Sequence, residues 1–189
     1  MRFSKHTKAA LPLLLPLALS ACNEEPDFGF DEWEAEVDTV TLYSADRPEH
    51  QGLPAAYDIR ATRTMRVEDP GSTGNWDFAL TGGAGSPLTL TPLGAFFDVS
   101  NNAGVATVAD ATFEELETAP ADADEYVVDE SVTIDPDVVY VIRSRQGGGC
   151  MNFAKLEPLE LDADAGTFTF RLTANPTCND RALVPPEDD

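Results

Sequence analysis

The sequence predicts an all-β fold, a single antiparallel sandwich or barrel-like domain with one short helix. Three observations predict it. Short runs rich in β-branched and aromatic residues recur along the chain, and Gly, Pro, Asn and Asp interrupt the intervals between them. The last two runs are separated by a short turn sequence, which is typical of a hairpin.

The first 21 residues have the layout of a secretory signal peptide. Arg2, Lys5 and Lys8 precede the apolar run 9–19, which is too short to span a membrane. The segment ends in Leu-Ser-Ala-Cys at 19–22, which resembles the bacterial lipobox. We therefore expect cleavage before Cys22 and attachment of acyl chains to its thiol. The alternative is an ordinary secretory signal whose cleavage site happens to precede a cysteine.

The residues after Cys22 indicate where the protein is sorted. Asn23 stands where an aspartate would signal retention in the inner membrane, so the sequence favours the outer membrane, with the protein facing either the periplasm or the cell surface. Residues 22–32 are acidic, contain Pro26 and Gly29, and lack hydrophobic periodicity. They are expected to form a tether between the bilayer and the domain.

The domain is expected to span residues 33–182. Its strand-like runs are, in chain order, 33–43, 56–67, 76–80, 88–91, 95–99, 103–108, 126–129, 132–134, 138–145, 153–161 and 167–174. The single helix is expected near Thr112 and Glu115, which fit a capping box, and it should end before Pro120. Residues 183–189 contain two prolines and three acids and are expected to be a disordered tail.

A disulfide between Cys150 and Cys178 follows from the register of the last hairpin. The turn sequence 162–166 ends in glycine and is centred on Asp164, and the two cysteines lie 14 residues to either side of it. The same register places Glu157 opposite Arg171 and Leu156 opposite Leu172. Pro158 could introduce a bulge that shifts the ladder. An exported protein is in a compartment that permits disulfides.

The chain is strongly acidic, with a formal net charge of −22. Cleavage of the signal peptide removes three basic residues and no acidic residue, which leaves Lys155 as the one lysine of the mature chain. Such a charge repels nucleic acid and anionic lipid headgroups. A highly solvated surface explains this composition more simply than an acidic binding tract.

The sequence offers little for catalysis, and we expect a protein that is not an enzyme. His50 is the one histidine after residue 21, and no nucleophile, metalloprotease or phosphate-binding motif occurs. The acidic clusters 122–125 and 162–166 could attract calcium, but both are simpler to interpret as turns, so no metal site is predicted.

Arginines are grouped in two strand-like runs, with Arg60, Arg63 and Arg66 in one and Arg143 and Arg145 in the other. Strand alternation would place Arg143 and Arg145 on one face, and Arg60 and Arg66 likewise. In so acidic a chain these side chains could neutralise neighbouring carboxylates, which is the favoured interpretation, or bind an anionic ligand.

Four short motifs occur in an order that resembles the HmuY family. They are Trp-Asp-Phe-Ala-Leu at 76–80, Phe-Glu-Glu-Leu at 113–116, Tyr-Val-Ile-Arg-Ser-Arg at 140–145 and Phe-Ala-Lys-Leu at 153–156. The resemblance covers residues 55–175. It implies an HmuY-like all-β outer-membrane lipoprotein that binds haem and passes it to a receptor.

The resemblance also implies two axial haem ligands, which are histidines or methionines in that family. The candidates in this chain are Met151, His50 and Met65, of which Met151 is expected to be the best exposed. The expected function is therefore a binding module for haem or a related porphyrin. The alternative is a structural or protein-interaction lipoprotein of the same fold that binds no cofactor.

Overall fold

The computed structural model describes residues 33–186. The predicted signal peptide 1–21, the lipidation site Cys22, the tether up to residue 32 and the end of the expected tail, 187–189, lie outside the described residues. Within 33–186, no helix has the length and apolarity that a membrane span requires.

The described chain forms two antiparallel sheets of five strands each, which confirms the all-β sandwich. The strands are β1 (Asp38–Tyr43), β2 (Ala56–Asp58), β3 (Arg63–Met65), β4 (Phe78–Gly82), β5 (Leu88–Pro92), β6 (Gly104–Val108), β7 (Val132–Thr133), β8 (Val139–Arg143), β9 (Phe153–Asp162) and β10 (Thr167–Asn175). The first sheet has the order β1-β10-β9-β8-β6 and the second has the order β3-β2-β4-β5-β7.

Strand alternation sorts the apolar side chains into three layers. The central layer lies between the sheets and contains Tyr57, Phe78, Phe168 and Phe170, all nearly inaccessible to solvent. A second cluster lies on the outer face of the first sheet, where Val141 of β8 and Phe153 of β9 pack against the segment 119–126 and Leu183. A third cluster lies on the outer face of the second sheet. Both sheets are therefore covered on both faces over part of their area.

The expected strand 56–67 is wrong in one respect, because it is a hairpin of β2 and β3. Asp58 causes the reversal. Its Oδ1 accepts hydrogen bonds from the backbone N–H groups of Arg60 and Ala61, at 3.1 and 3.3 Å, and Thr62 adopts a positive φ of 45°. A carboxylate that binds its own downstream amides competes with the strand ladder. Arg60 and Arg66 consequently do not share one strand face.

The short helix lies at a different place from the expected one. It is α1 (Leu93–Phe97), in a region where a strand was predicted over 95–99. It follows Pro92 and ends at Asp98, which adopts the left-handed conformation. Phe96 and Phe97 pack their rings against Trp76 of the neighbouring segment, so tertiary packing outweighs the β propensity of this stretch.

The capping box at Thr112 forms but does not start a helix. The Thr112 hydroxyl donates to Glu115 Oε2 at 2.8 Å, and the Glu115 amide donates back to Oγ1 at 3.3 Å. The chain makes one turn, because the Lys155 ammonium donates to the carbonyl oxygens of Phe113 and Leu116 at 2.6 and 3.1 Å. These carbonyls are satisfied by a side chain from β9 in place of further helical amides.

The last hairpin has the predicted pairs Glu157↔Arg171 and Leu156↔Leu172, and Cys150 and Cys178 form the predicted disulfide with a Cα–Cα distance of 5.2 Å. Arg171 and Glu157 are also joined by an ion pair. Beyond this hairpin, Leu183 is buried and its amide donates to the Glu117 carbonyl at 2.7 Å. Packed structure thus reaches one residue beyond the expected domain end at 182.

Candidate binding cleft

The three candidate haem ligands lie in three different places. His50 lines a small cavity of about 250 Å³ beside the 44–55 segment, where its Nδ1 lies 3.3 Å from the Ser44 carbonyl oxygen and its ring meets Tyr43 edge to face. Met65 packs against the apolar cluster on the outer face of the second sheet. Met151 lines a separate cleft of about 430 Å³ on the outer face of the first sheet.

A haem with two axial side chains does not fit this arrangement. No residue lines both the cavity of His50 and the cleft of Met151, and Met65 lines neither. Two axial ligands must face each other across one pocket, because they bind opposite sides of the same iron. The structure brings only Met151 into a cleft that a flat ligand could enter.

The cleft of Met151 is the most informative cavity in the described part of the chain, and we call it the arginine cleft. It is lined by Pro120, Ala121, Ala123, Tyr126, Arg143, Gly149, Met151, Phe153, Asn179 and Arg181. Its volume falls within the range of small-molecule sites, roughly 300–1,000 Å³. Its lining combines aromatic rings, small apolar groups and two guanidinium groups, and it includes no carboxylate.

Two strands and three connecting segments build this cleft. Arg143 ends β8 and Phe153 begins β9, and the two residues face each other in the ladder with their side chains on the outer face of the sheet. The segment 120–126 and the segment after β10 cover that face from two sides. Because the ladder ends here, the outer face becomes a rim onto which connecting segments can contribute side chains.

Arg143 is held in place by two contacts that leave most of its donors free. Its Nε donates to the Asn102 carbonyl at 2.9 Å, and its guanidinium carbon lies 4.4 Å from the centroid of the Tyr126 ring. A guanidinium has five N–H donors. The four on the two Nη atoms have no acceptor within residues 33–186. Burial lowers the pKa of the Arg143 guanidinium, partly offset by the neighbouring Tyr126.

Arg181 enters the same cleft from the segment after β10. Its Nη1 donates to the Ala119 carbonyl at 3.1 Å, and it makes no ion pair with any described carboxylate. Burial raises the pKa of Tyr126 to about 12, and both Arg143 and Arg181 oppose this effect. Both guanidinium groups line the cleft beside Tyr126.

The disulfide fixes the wall of the arginine cleft that contains Met151. Beside the Cys150–Cys178 bond, the Met151 amide donates to Asn179 Oδ1 at 3.0 Å and the Asn179 amide donates to the Met151 carbonyl at 2.8 Å. Asn179 Nδ2 also donates to the Gly149 carbonyl at 3.1 Å. Two chain segments that are distant in sequence thus become one wall.

Arg145 is close to Arg143 in sequence, but it points to the other side of the sheet and has carboxylate partners. The strand ends at Arg143, so alternation no longer applies, and Arg145 turns toward the second sheet, where Nη1 lies 3.0 Å from Oδ1 of both Asp58 and Asp77. Burial raises the pKa of Asp77, opposed by Arg145 and by the amide of Ile59, which donates to Oδ2 at 2.8 Å. The expectation that Arg143 and Arg145 share a face is wrong.

The other sequence-predicted arginines divide between the two interpretations. Arg63 and Arg66 pair with Asp58 and Asp69, and neutralisation of carboxylates is confirmed for them and for Arg145. Arg60 forms no ion pair among the described residues and does not line the arginine cleft. Sequence reasoning missed Arg181, which lies outside any strand. The signal that could have found it is its position three residues after Cys178, because the predicted disulfide joins Cys178 to Cys150, the sequence neighbour of Met151.

Other parts of the described chain offer fewer side chains that could bind a ligand or a metal. A cavity of about 610 Å³ lies beside Trp33 and the prolines 185 and 186, and its lining contains no histidine, methionine or arginine. No group of three or more metal-ligating side chains occurs within 33–186.

No protein-family model matches the chain, and no curated protein matches it. The resemblance to the HmuY family therefore stays a prediction.

Proposed function

We propose that the mature protein is an outer-membrane lipoprotein that acts as a binding module and captures its ligand in the arginine cleft. Haem or a related porphyrin is the ligand class to test first, and an outer-membrane receptor is the proposed recipient. One observation carries this proposal. In a chain with a net charge of −22, Arg143 and Arg181 converge on one apolar cleft without a carboxylate partner in the described residues.

The physical argument is that arginines in so acidic a protein normally find carboxylates. Five of the eight described arginines do so, and outside the cleft the exposed Arg60 is the exception; the five are Arg47, Arg63, Arg66, Arg145 and Arg171. Arg181 is exposed, but Arg143 is half-buried, and withdrawing its guanidinium from water without a counter-charge costs free energy. An anionic ligand would recover that cost, and guanidinium groups bind carboxylates through paired hydrogen bonds.

The experiment is a titration of the purified mature domain with haemin, followed by the Soret band. A saturable shift that weakens in Arg143→Met and Arg181→Met supports the proposal. Arg66→Met is the matched control, because Arg66 is exposed, pairs with Asp69 and does not line the cleft. Absence of a saturable shift in the parent protein would remove the porphyrin from the proposal.

The lipid anchor is tested separately. The full chain, expressed with its signal peptide in a bacterial host, should partition with membranes and have acyl chains on Cys22. The Cys22→Ser variant should be released into the soluble fraction. Membrane association that persists in Cys22→Ser would contradict the anchor. This test does not depend on the ligand.

The second candidate function is a structural or protein-interaction lipoprotein that binds no cofactor. The observation that favours it is the separation of His50, Met65 and Met151, which leaves no pair of soft ligands for one iron. A protein of this kind would give no response to any porphyrin, while Cys22 would still be acylated.

A further inference from the structure

We infer that the arginine cleft selects a flat aromatic or conjugated carboxylic acid through its charge and shape and does not require a metal in the ligand. This inference rests on the proposed function, because it names the ligand chemistry of the same cleft. It departs from metal-centred recognition, in which the iron would provide most of the affinity.

The cleft is poorly equipped to bind iron. Its one soft atom is the Met151 sulfur, and no histidine or cysteine thiol lines it, since Cys150 is in the disulfide. The Met151 sulfur already lies 4.0 Å from the amide nitrogen of Asn102. A single thioether is a weak ligand, and haem proteins that use methionine pair it with a second axial side chain.

The cleft is well equipped to bind a carboxylate. The Nε contact with Asn102 and the stacking on Tyr126 fix the plane of the Arg143 guanidinium, while the four Nη hydrogens point to no described acceptor. A fixed fork loses little rotational freedom when a carboxylate binds. Arg181, which also lines the cleft, offers further donors beside the one that binds the Ala119 carbonyl.

The remaining lining is suited to the apolar body of such an acid. Phe153 and Tyr126 have rings 6.4 Å apart, and Pro120, Ala121 and Ala123 complete an apolar wall. Flat ligands gain affinity from stacking on aromatic and guanidinium planes. The ligand should therefore have one or two carboxylates on an extended π-system.

The acidic side chains around the arginine cleft restrict the class of ligand further. The turn Ala123–Glu125 that borders the cleft adds the exposed carboxylates of Asp124 and Glu125, with Asp122 at its cap. These groups repel polyanions, whose charges cannot all reach the two arginines. A compact acid, whose one charged end meets Arg143 and Arg181, avoids this repulsion.

Two matched pairs of probes test the inference by fluorescence and absorbance titration. Haemin against metal-free protoporphyrin isolates the metal, and pyrene carboxylate against pyrene methanol isolates the charge. We expect haemin and protoporphyrin to bind within about threefold of each other, and pyrene carboxylate to bind at least about tenfold more tightly than the alcohol. Arg143→Met and Arg181→Met should abolish that preference, whereas Met151→Leu and Arg66→Met should leave it intact.

The outcomes separate this inference from the proposed function. If haemin binds at least about tenfold more tightly than protoporphyrin and Met151→Leu removes the difference, the inference is wrong and the porphyrin-binding function stands. If pyrene carboxylate binds through Arg143 but neither porphyrin binds, the inference stands and the porphyrin is excluded. Equal binding of the acid and the alcohol, or no binding of any probe, overturns the inference.

Discussion

Arg143 and Arg145 are two residues apart and serve opposite purposes. Arg145 crosses to the second sheet and pairs with two buried carboxylates, whereas Arg143 stays on the outer face of the first sheet and faces a cleft without one. The point at which β8 ends separates their roles. The end of β8 therefore decides which of these two arginines stabilises the fold and which remains available to a ligand.

The two sites also differ in how their charge is compensated. Asp77 is fully buried and Asp58 nearly so, with side-chain exposures of 0% and 4%, and Arg145 supplies hydrogen bonds to both. The Arg143 guanidinium is half-buried and is compensated by a ring and a backbone carbonyl. An external anion should therefore stabilise the unpaired, half-buried Arg143 guanidinium more than the Arg145 guanidinium, which is already paired.

The largest effect is expected for Arg145→Met. Removing this side chain leaves Asp58 and Asp77 buried without their cation, which should lower the free energy of unfolding by about 3–5 kcal/mol. Chemical denaturation followed by tryptophan fluorescence measures it. Arg66→Met, which breaks an exposed pair, should change stability by less than about 1 kcal/mol. Equal effects of the two substitutions would refute the distinction.

The double substitution Cys150→Ser/Cys178→Ser connects the two sites, because the loop from Arg145 to Met151 joins them. It should lower the free energy of unfolding by about 3–4 kcal/mol, since the bond closes a loop of 28 residues. It should also weaken binding in the arginine cleft, whose wall includes Gly149, Met151 and Asn179. If a folded double variant binds pyrene carboxylate with unchanged affinity, the hydrogen bonds of Asn179 hold the cleft wall in place without the disulfide.

Arg143→Met should show the reverse pattern from Arg145→Met. The substitution removes a cation that has no carboxylate partner, so stability should change by less than about 1 kcal/mol, the usual range for a cation stacked on a ring. Affinity for the acid probe should fall by about tenfold or more. A large loss of stability with unchanged affinity would place Arg143 in the fold and not in the binding site.

The last effect is confined to high pH and is expected for Tyr126→Phe. The pKa of Tyr126 is raised from 10.0 to about 12, so the folded protein holds the phenol proton more tightly than the unfolded chain. Its contribution to stability is complete below pH 10 and is lost as pH rises toward 12. Tyr57 and Tyr140 act in the same direction, so the difference between parent and Tyr126→Phe isolates this residue. Parallel stability curves would contradict the assignment.

The disulfide prediction was correct although its premise about the turn was not. The first pair of the hairpin is Thr167↔Asp162, which leaves a four-residue turn and displaces the centre of the hairpin from Asp164 by half a residue. The ladder then skips Leu159, next to Pro158, and returns to the predicted register. The two deviations cancel, and Cys150 and Cys178 meet. The hydrophobic alternation of β9 and β10 specifies this outcome, because a one-residue slip would expose the core face.

Local signals proved weaker where long-range contacts compete with them. The β propensity of 95–99 gives way to packing of two phenylalanines on Trp76, and the capping box at Thr112 yields one turn because Lys155 takes its carbonyls. Asp58 ends a strand that alternation alone would continue to residue 67. Each partner lies far away in sequence or acts through a specific hydrogen bond, which periodicity does not encode.

Alternation and turn chemistry act over short distances, so the all-β class, the disulfide and the register of the last hairpin from Pro158 to Phe153 could be predicted from the residues alone. The pairing of the arginines and the separation of the soft side chains could not, because compensation of charge depends on distance in space. Asp58 and Asp77 approach Arg145 from the second sheet, while Arg181 lines the cleft of Arg143 on a segment that the disulfide holds in place.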